Sequence, residues 1–464
     1  MADLSSIEHV ILLCMENRSF DHYLGALSLP PLSRDDVDGL RIPPRSVPDS
    51  NGQPVPGWQI DGSDPPVGPD FPDVPHGKNA MLADWNAGKN DGFVTTYQAA
   101  HAKDVAPLQP PRTNIPMGYY TDKTLPVLYA LAQEFTVCDM WFASMLSSTW
   151  PNRKYLHSGR RDDDDDTQIF PGIRGFQTNP IYGFIERSCD RNNKPLTWKS
   201  YFSDLPFLAF WYGFAATHAF HNFSTIETFV DDCRENKLPS VSVIDPPFTL
   251  ADDHPPHDPA LGEKFIGLVV DALTNSPAWE TSALVILYDE CGGFYDHRPP
   301  PASGVPNDPD ANLGFRVPAL IVSPYALRGA THTQYDHTSF IKSLKELWNL
   351  PLDQERTNFG VRWPHANSFW DALNFAQKPR ARGTYTGKPL SHVNWASGVR
   401  ERLNTPLGQF EALLERIFIL PELKTLDRRA DVFDTLGKME DNVVTVKRMQ
   451  DYETAGMTGG GGEP

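Results

Sequence analysis

The fold of this chain is decided by the stretch Ser282-Ala-Leu-Val-Ile-Leu-Tyr-Asp-Glu-Cys-Gly-Gly-Phe-Tyr-Asp-His297. Residues 283–288 form an unbroken apolar run, which is typical of a parallel strand buried on both faces. The run ends in two adjacent carboxylates, Asp289 and Glu290, and the pair Gly292-Gly293 then predicts a turn. Ligands of open α/β sheets bind just beyond the carboxyl ends of the strands. Because neighbouring carboxylates repel unless a cation or a proton lies between them, the stretch indicates either a functional site or a solvated loop.

The composition indicates a globular protein that does not bind nucleic acid. The chain has 464 residues, enough for one large α/β domain or two ordinary ones, and 40% of them are hydrophobic. The formal net charge of −18 argues against a nucleic-acid partner and against electrostatic docking on anionic membranes, but not against contact with neutral lipid. No apolar run approaches the roughly 20 residues of a transmembrane helix, so we expect peripheral membrane contact at most.

The N-terminus and the cysteines bear on the cellular compartment. The first residues include neither a basic region nor a twin-arginine pair, which predicts no signal peptide in this chain and a protein that is cytoplasmic or released without a cleaved signal. The cysteines are odd in number and lack metal-type spacing, which predicts mostly free thiols, although Cys189 and Cys233 are a possible pair in an oxidising compartment. The five are Cys14, Cys138, Cys189, Cys233 and Cys291.

Hydrophobic patterning predicts alternating strands and helices. Further strands are predicted at 7–15, 136–144, 240–245 and 317–323, and helices at 79–87, 125–135, 261–273 and from 339 to about 350. Residues 30–75 are rich in Pro, Gly and Asp and predict a long surface excursion. We expect a catalytic domain over 1–377 and a mainly helical extension over 378–464. The extension has helical pieces at 408–418 and 431–446 and a disordered tail.

Polar clusters follow several of the predicted strands. Parallel strands bring such clusters to one edge of a sheet, where five of these residues would form an all-oxygen ligand set for a hard or borderline divalent cation. Such a cation lowers the pKa of a hydroxyl nucleophile, and nearby histidines supply protons to a leaving group. The alternative is helix capping by Asn17, Ser19 or the hydroxyls at 147–149. The five residues are Glu16, Asn17, Thr149, Asp289 and Glu290.

Two segments of unusual composition are predicted to have no catalytic role. The five consecutive aspartates at 162–166 predict a solvated loop and not a metal site. The aromatic segment at 205–214 is too short to span a bilayer and belongs either to the core or to a rim that faces lipid or substrate.

Several long motifs resemble the bacterial phospholipase C and acid phosphatase family of phosphoesterases, relatives of the alkaline phosphatase superfamily. They occur in the same order over roughly residues 7–350, which makes chance agreement implausible. The motifs are residues 7–22, Ser148-Thr-Trp-Pro-Asn-Arg153, Asp252-Asp-His-Pro255, residues 288–297 and Tyr335-Asp-His-Thr-Ser339.

The resemblance implies an α/β/α sandwich with a mostly parallel central sheet, alkaline-phosphatase-like, and one divalent metal ion (Ca, Mg, Mn or Zn). Its metal ligands would be Glu16, Asn17, Asp289 and Glu290, with Thr149 as the nucleophile close to the metal. Asn17, His76 and His254 would bind the substrate phosphate, and the two histidines would also act as acid or base. His337 is a further catalytic candidate.

The resemblance also implies the reaction. Family phosphatases tend to carry Ser at the nucleophile position and phospholipases Thr, so Thr149 favours a phospholipase C that acts on phosphatidylcholine-type lipids through a phospho-threonine intermediate. The alternatives are a broad acid phosphatase and a catalytically silent phosphate- or lipid-binding relative. Cys291 departs from the pattern, because the family usually has His there.

Overall fold

The computed structural model describes residues 3–60, 74–102, 112–167, 175–248, 250–255, 257–354 and 359–383. The predicted helices at 408–418 and 431–446 and the predicted tail lie outside these residues. Within them, no helix is long and apolar enough to cross a membrane.

Eight strands of the described residues form one twisted sheet in the order β12-β6-β11-β10-β1-β9-β7-β8. All neighbours are parallel except at β11, which runs antiparallel to both β10 and β6. Two short pairings, β2 with β3 and β4 with β5, structure part of the predicted excursion at 30–75. The strands are β1 (His9–Met15), β2 (Ser46–Pro48), β3 (Pro54–Pro56), β4 (Trp58–Gln59), β5 (Gly118–Tyr119), β6 (Thr136–Cys138), β7 (Trp198–Phe202), β8 (Phe223–Thr225), β9 (Val241–Ile244), β10 (Ser282–Tyr288), β11 (Ala319–Val322) and β12 (Gly329–Thr331).

Helices cover the sheet. Every residue of β10 is buried, and because alternate side chains of a strand point to opposite faces, both faces of the sheet are covered. Helix α9 packs against α4 and α8, and α5 packs against α10. The helices are α1 (Phe20–Tyr23), α2 (Lys78–Trp85), α3 (Phe93–Ala100), α4 (Pro126–Glu134), α5 (Thr149–Ser158), α6 (Tyr182–Ile185), α7 (Tyr212–Asn222), α8 (Ile226–Arg234), α9 (Pro259–Thr274) and α10 (Thr338–Trp348). The prediction of a layered α/β fold with a mostly parallel sheet is confirmed.

Short 3-10 helices complete the described secondary structure. They span Leu4–Ser6, Gly25–Ser28, Asn86–Gly88, Arg112–Met117, Phe207–Phe210, Trp279–Thr281, Pro351–Gln354, Trp363–His365 and Phe369–Ala372.

The register of the central strands places the predicted site. Strands β1 and β10 are paired in parallel along their full length, with Met15 opposite Tyr288. Glu16 and Asp289 therefore leave the sheet side by side at the same edge. Strand β9 flanks β1 on its other side and ends at Ile244, so Asp245 joins them.

Two open sequence questions are answered by the structure. The aromatic segment at 205–214 belongs to the core, since Phe207, Leu208, Phe210 and Trp211 are all buried in the main hydrophobic cluster. All five cysteines are free thiols, so Cys189 and Cys233 are not paired.

Candidate active site

Glu16 and Asp289 are joined by the backbone that follows their strands. Both side chains are buried. Asp289 Oδ1 accepts hydrogen bonds from the backbone amides of Asn17, at 2.9 Å, and of Glu290, at 2.7 Å. Glu290 is also buried, and its Oε2 accepts from the amide of Gly292 at 2.6 Å. These bonds fix the turn after β10 against the turn after β1.

Asn17 is held in an unusual backbone conformation with an unsatisfied side chain. Its φ of 58° lies in the left-handed region, which asparagine tolerates better than most residues. Its side chain is fully buried, and neither Oδ1 nor Nδ2 has a hydrogen-bond partner among the described residues. A Cβ at Gly292 would lie 2.2 Å from the Asn17 carbonyl oxygen, so only glycine permits this approach. A buried amide without a partner is costly and points to a ligand that completes it.

Thr149 opens helix α5 and contacts Glu16. The Thr149 hydroxyl donates to Glu16 Oε2 at 3.0 Å. As the first helical residue, Thr149 lies at the positive end of the helix dipole, which favours an anionic group. The alternative interpretation, helix capping, applies to Ser19, whose hydroxyl accepts from the His22 amide in α1. Ser148 makes no such side-chain bond to α5, and Thr149 donates to Glu16 instead.

Arg153 is a site residue that the sequence interpretation did not assign. It lies four residues after Thr149, one turn along the same face of α5. Its fully buried guanidinium pairs with Glu16 at 2.6 Å, with Asp289 at 3.6 Å and with Asp245 at 3.5 Å. It also donates to the carbonyl oxygen of Cys14 at 2.9 Å. The signal that could have identified it is its position in the motif at 148–153, four residues after the proposed nucleophile.

The charges around Arg153 do not balance. Three buried carboxylates, from Glu16, Asp245 and Asp289, share one guanidinium. Burial and the neighbouring Asp289 raise the pKa of Glu16 well above its usual value, and burial raises the pKa of Asp245 to about 6 despite Arg153. Excess buried negative charge and the unsatisfied Asn17 amide are what a divalent cation would compensate, so the oxygen donors at this edge fit such an ion.

His76 and His254 lie next to each other. Their rings are perpendicular with centroids 5.3 Å apart. Each Nδ1 contacts a backbone carbonyl, that of Val74 for His76 and that of Pro255 for His254, so each Nδ1 carries a hydrogen and donates it.

Both histidine loops adjoin the carboxylate cluster. The carbonyl oxygen of Asp252, two residues before His254, accepts from the Glu16 amide at 2.8 Å. The Pro75 carbonyl, next to His76, packs so closely on Gly293 that a Cβ there would lie 2.5 Å away. The fold therefore brings both loops to the edge that holds Glu16 and Asp289.

His337 lies behind Asp289. It is fully buried, its Nε2 contacts the Asp289 carbonyl oxygen at 2.6 Å, and Trp141 Nε1 donates to its Nδ1 at 3.3 Å. Because an indole only donates, Nδ1 accepts and Nε2–H donates. Burial lowers the pKa of His337, which agrees with a neutral ring. Both nitrogens are thus hydrogen-bonded within the protein, whereas a group that transfers a proton to the substrate needs one nitrogen open to it.

A second cluster, formed by Asp21, Asp296 and His297, brings three possible ligand atoms within 4.8 Å of one another. Arg316 already occupies this cluster, with Nε 2.9 Å from Asp296 and Nη2 3.1 Å from Asp21. Burial opposes the charged form of His297, but the carboxylates of Asp21 and Asp38 prevail and raise its pKa to about 9. In this structure the cluster is an ion-pair network in which Arg316 supplies the positive charge beside Asp21 and Asp296.

Cys291 is a packing residue in the structure. It is buried in a small apolar cluster, with its sulfur 3.4 Å from that of Met81. Burial raises the pKa of its thiol well above the usual value. The neighbouring side chains in the cluster are Val47, Phe93, Val94, Met117, Leu146, Tyr295 and Phe315.

Comparison with known proteins agrees with the motifs. The model of the phosphoesterase family matches residues 7–351. Non-specific phospholipase C1 of Arabidopsis thaliana is 33% identical over 374 residues, which cover 74% of this chain and 67% of that protein. Phospholipase C B of Mycobacterium tuberculosis is 32% identical over 444 residues, 81% of this chain and 79% of that protein. A solved protein of the alkaline phosphatase superfamily from Vibrio parahaemolyticus superposes with a TM-score of 0.32 and 12% identity, over 48% of this chain and 60% of that one.

Proposed function

The chain belongs to the phosphoesterase family, and on this premise we propose that it is a phospholipase C that cleaves phosphatidylcholine-type lipids into diacylglycerol and a phosphorylated headgroup. That it hydrolyses phosphoester bonds follows from the family and from its relatives. The finer proposal rests on one observation: a hydroxyl at a helix N-terminus donates to a buried carboxylate beside an unsatisfied buried amide.

The substrate class is supported by the relatives. Proteins named phospholipase C, from a plant and from a bacterium, share 30% identity or more with this chain over most of its length. Thr149 stands where the phospholipases tend to carry Thr and the phosphatases Ser. The net charge of −18 favours a zwitterionic lipid surface over an anionic one.

The proposed site includes one divalent cation, held by Glu16, Asn17, Asp289 and Glu290 next to Thr149. When bound, it would favour the ionised Thr149 hydroxyl and neutralise charge on the phosphoryl group. Arg153 keeps two of these carboxylates together at 2.6 and 3.6 Å and so limits their repulsion.

Thr149 is the proposed nucleophile. Its Oγ1 forms a bond to phosphorus as the bond between phosphorus and the glycerol oxygen breaks, and the N-terminus of α5 stabilises negative charge at this position. The hydroxyl proton has an acceptor at 3.0 Å, Glu16 Oε2. The product of this step is diacylglycerol and a phospho-threonine.

The leaving glycerol oxygen takes a proton from Nε2 of His254 or His76, which enters this step as an imidazolium and leaves it as a neutral imidazole. The same imidazole then removes a proton from water, which attacks phosphorus as the bond between phosphorus and Thr149 Oγ1 breaks. Thr149 Oγ1 takes its proton back from Glu16, and the phosphorylated headgroup leaves. His337 has both nitrogens engaged, so its proposed contribution is to hold the Asp289 backbone in place.

Product analysis tests this proposal. The protein, supplied with divalent cations, is given vesicles of phosphatidylcholine and, separately, p-nitrophenyl phosphate. We expect diacylglycerol and phosphocholine in equal amounts, and loss of both with Thr149→Ala. Turnover of the monoester alone would replace the proposal with an acid phosphatase. Binding of vesicles or phosphate without turnover of either substrate would support a silent relative.

A further inference from the structure

The five-aspartate run at 162–166 is a partly exposed loop, as its composition predicts, and it is also anchored by ion pairs. Lys154 Nζ lies 3.0 Å from Asp162 and 2.5 Å from Asp164, and Lys78 pairs with Asp165. Asp163 is exposed. Lys154 belongs to α5 and Lys78 to α2, so the run is attached to two helices that border the candidate site.

Asp166 and Thr167, which end this run, hold the N-terminus of α5. The Ser148 hydroxyl donates to Asp166 Oδ1 and in turn accepts from the Thr167 amide at 2.7 Å. The Trp150 amide donates to Thr167 Oγ1 at 3.0 Å. The residues before and after Thr149 are therefore both fixed by Asp166 and Thr167. This explains why Ser148 makes no capping bond of its own.

The other oxygen of Asp166 holds the turn that carries His76. Asp166 Oδ2 accepts from the Lys78 amide at 3.2 Å. It also approaches Gly77 so closely that a Cβ there would lie 2.8 Å away. Gly77 directly follows His76, so one carboxylate connects the helix of the proposed nucleophile with the turn of a proposed acid.

We propose that Asp166 is a positioning residue that sets the distance between Thr149 and His76, an inference that rests on the proposed function of those two residues. An in-line displacement needs the nucleophile and the proton donor on opposite sides of phosphorus, and displacements of about 1 Å cost roughly 100-fold in rate. Asp166 is the one aspartate of the run whose carboxylate accepts from both sides in the described contacts. Asp165 accepts from Lys78 through its carboxylate but from Ser147 only through its backbone oxygen.

The run supplies its own matched controls. Changing each of the five aspartates to asparagine in turn removes one negative charge, so a long-range charge effect would alter all five variants alike. Positioning instead predicts that Asp166→Asn lowers kcat on phosphatidylcholine by at least about tenfold with little change in KM. We expect Asp163→Asn to stay within about twofold of the unchanged protein, as surface substitutions do.

Hydrogen exchange provides a measure that does not depend on turnover. With Asp166→Asn, the amides of 74–82 and 146–154 should exchange faster together, whereas Asp163→Asn should leave both unchanged. Thr167→Val keeps the side-chain shape but loses the Trp150 bond, and should affect 146–154 and kcat without affecting 74–82. If Asp166→Asn fails to fold, Thr167→Val tests whether the hydrogen bonds at the N-terminus of α5 position Thr149.

Three results would overturn the inference: equal effects of all five substitutions, kcat of Asp166→Asn within about twofold of the unchanged protein, or exchange that changes on only one side of Asp166. If the unchanged protein cleaves no phosphoester, the proposed function fails. The exchange experiment still decides whether Asp166 couples the two segments.

Discussion

Thr149 donates its hydroxyl hydrogen to Glu16 at 3.0 Å, although 133 positions separate the two residues in the chain. Glu16 leaves the end of β1 and Thr149 begins α5, so this bond joins the central sheet to the helix beside it. The same carboxylate pairs through its other oxygen with Arg153, one turn further along α5. Nucleophile, carboxylate and guanidinium thus form one unit whose parts are separately testable.

Replacement of Thr149 tests the nucleophile. We expect Thr149→Ala to lower turnover by about a thousandfold or more, and Thr149→Ser to retain a measurable share, because a hydroxyl remains to form the covalent intermediate. The measurement is the rate of diacylglycerol release. Thr217→Ala, which changes an exposed threonine of α7, is the control. Full turnover by Thr149→Ala would exclude the phospho-threonine route.

Replacement of Arg153 tests the charge balance. Arg153→Met should lower the free energy of unfolding by about 3–5 kcal/mol, because it leaves three buried carboxylates without their common cation. The pKa values of Glu16 and Asp245 are already raised, so the folded state binds more protons than the unfolded state. Removing Arg153 raises these values further. The unfolding free energy lost in Arg153→Met should therefore grow as pH rises from 5 to 7.

Denaturant unfolding of chelator-treated protein at several pH values measures this effect. Arg234→Met is the control, because Arg234 is exposed and pairs only at the surface. A loss that shrinks as pH rises would contradict the account of buried, repelling carboxylates.

Metal removal tests the cation site. Chelation should lower the melting temperature and added divalent cation should restore it, since an ion at 100 times its Kd stabilises the folded state by about 2.7 kcal/mol. Asp289→Asn keeps the shape of the side chain and loses its charge, so it should abolish the rise in melting temperature that the cation produces. Asp296→Asn should preserve it. The opposite pattern would move the ion to the cluster of Asp21, Asp296 and His297.

The ion pair of His297 and Asp21 predicts a loss of stability in alkali. The pKa of His297 is raised to about 9 in the folded protein, against about 6.5 in the unfolded chain. Its stabilisation is fully present below pH 6.5 and is lost as pH rises through 9, with an upper bound of about 3 kcal/mol. The free energy of unfolding, measured between pH 6 and 10, should therefore fall as the pH rises. With His297→Gln this dependence on pH should disappear. An unchanged dependence would assign the loss of stability to other groups.

Much of the fold was predictable because it is encoded locally. The apolar run at 283–288 became Ser282–Tyr288, and the runs at 7–15 and 240–245 became His9–Met15 and Val241–Ile244. The predicted helix at 261–273 became Pro259–Thr274. The run at 136–144 was only partly correct, because the strand ends at Cys138. Side-chain periodicity shows that a segment is buried, but not how long it keeps a strand partner.

The site was predicted in part for the same reason. Polar residues that follow parallel strands meet at one edge, so Glu16 and Asp289 could be paired from their sequence positions alone. The role of Arg153 could not be predicted, because its partners are carboxylates that follow three different strands. The attachment of the five-aspartate run also escaped prediction, since the lysines that anchor it, Lys78 and Lys154, lie outside the run.

Sequence alone was enough to predict most of the strands and helices, the polar residues that follow the strands, and the family of the chain. These properties depend on periodicity and on motifs within a few residues. Three features became known from the folded chain alone: β11 runs antiparallel, His337 lies behind Asp289 with both nitrogens hydrogen-bonded, and Asp166 connects α5 with the turn of His76. Strand direction, hydrogen-bond partners and charge compensation depend on contacts between distant segments, which form only when the whole domain packs.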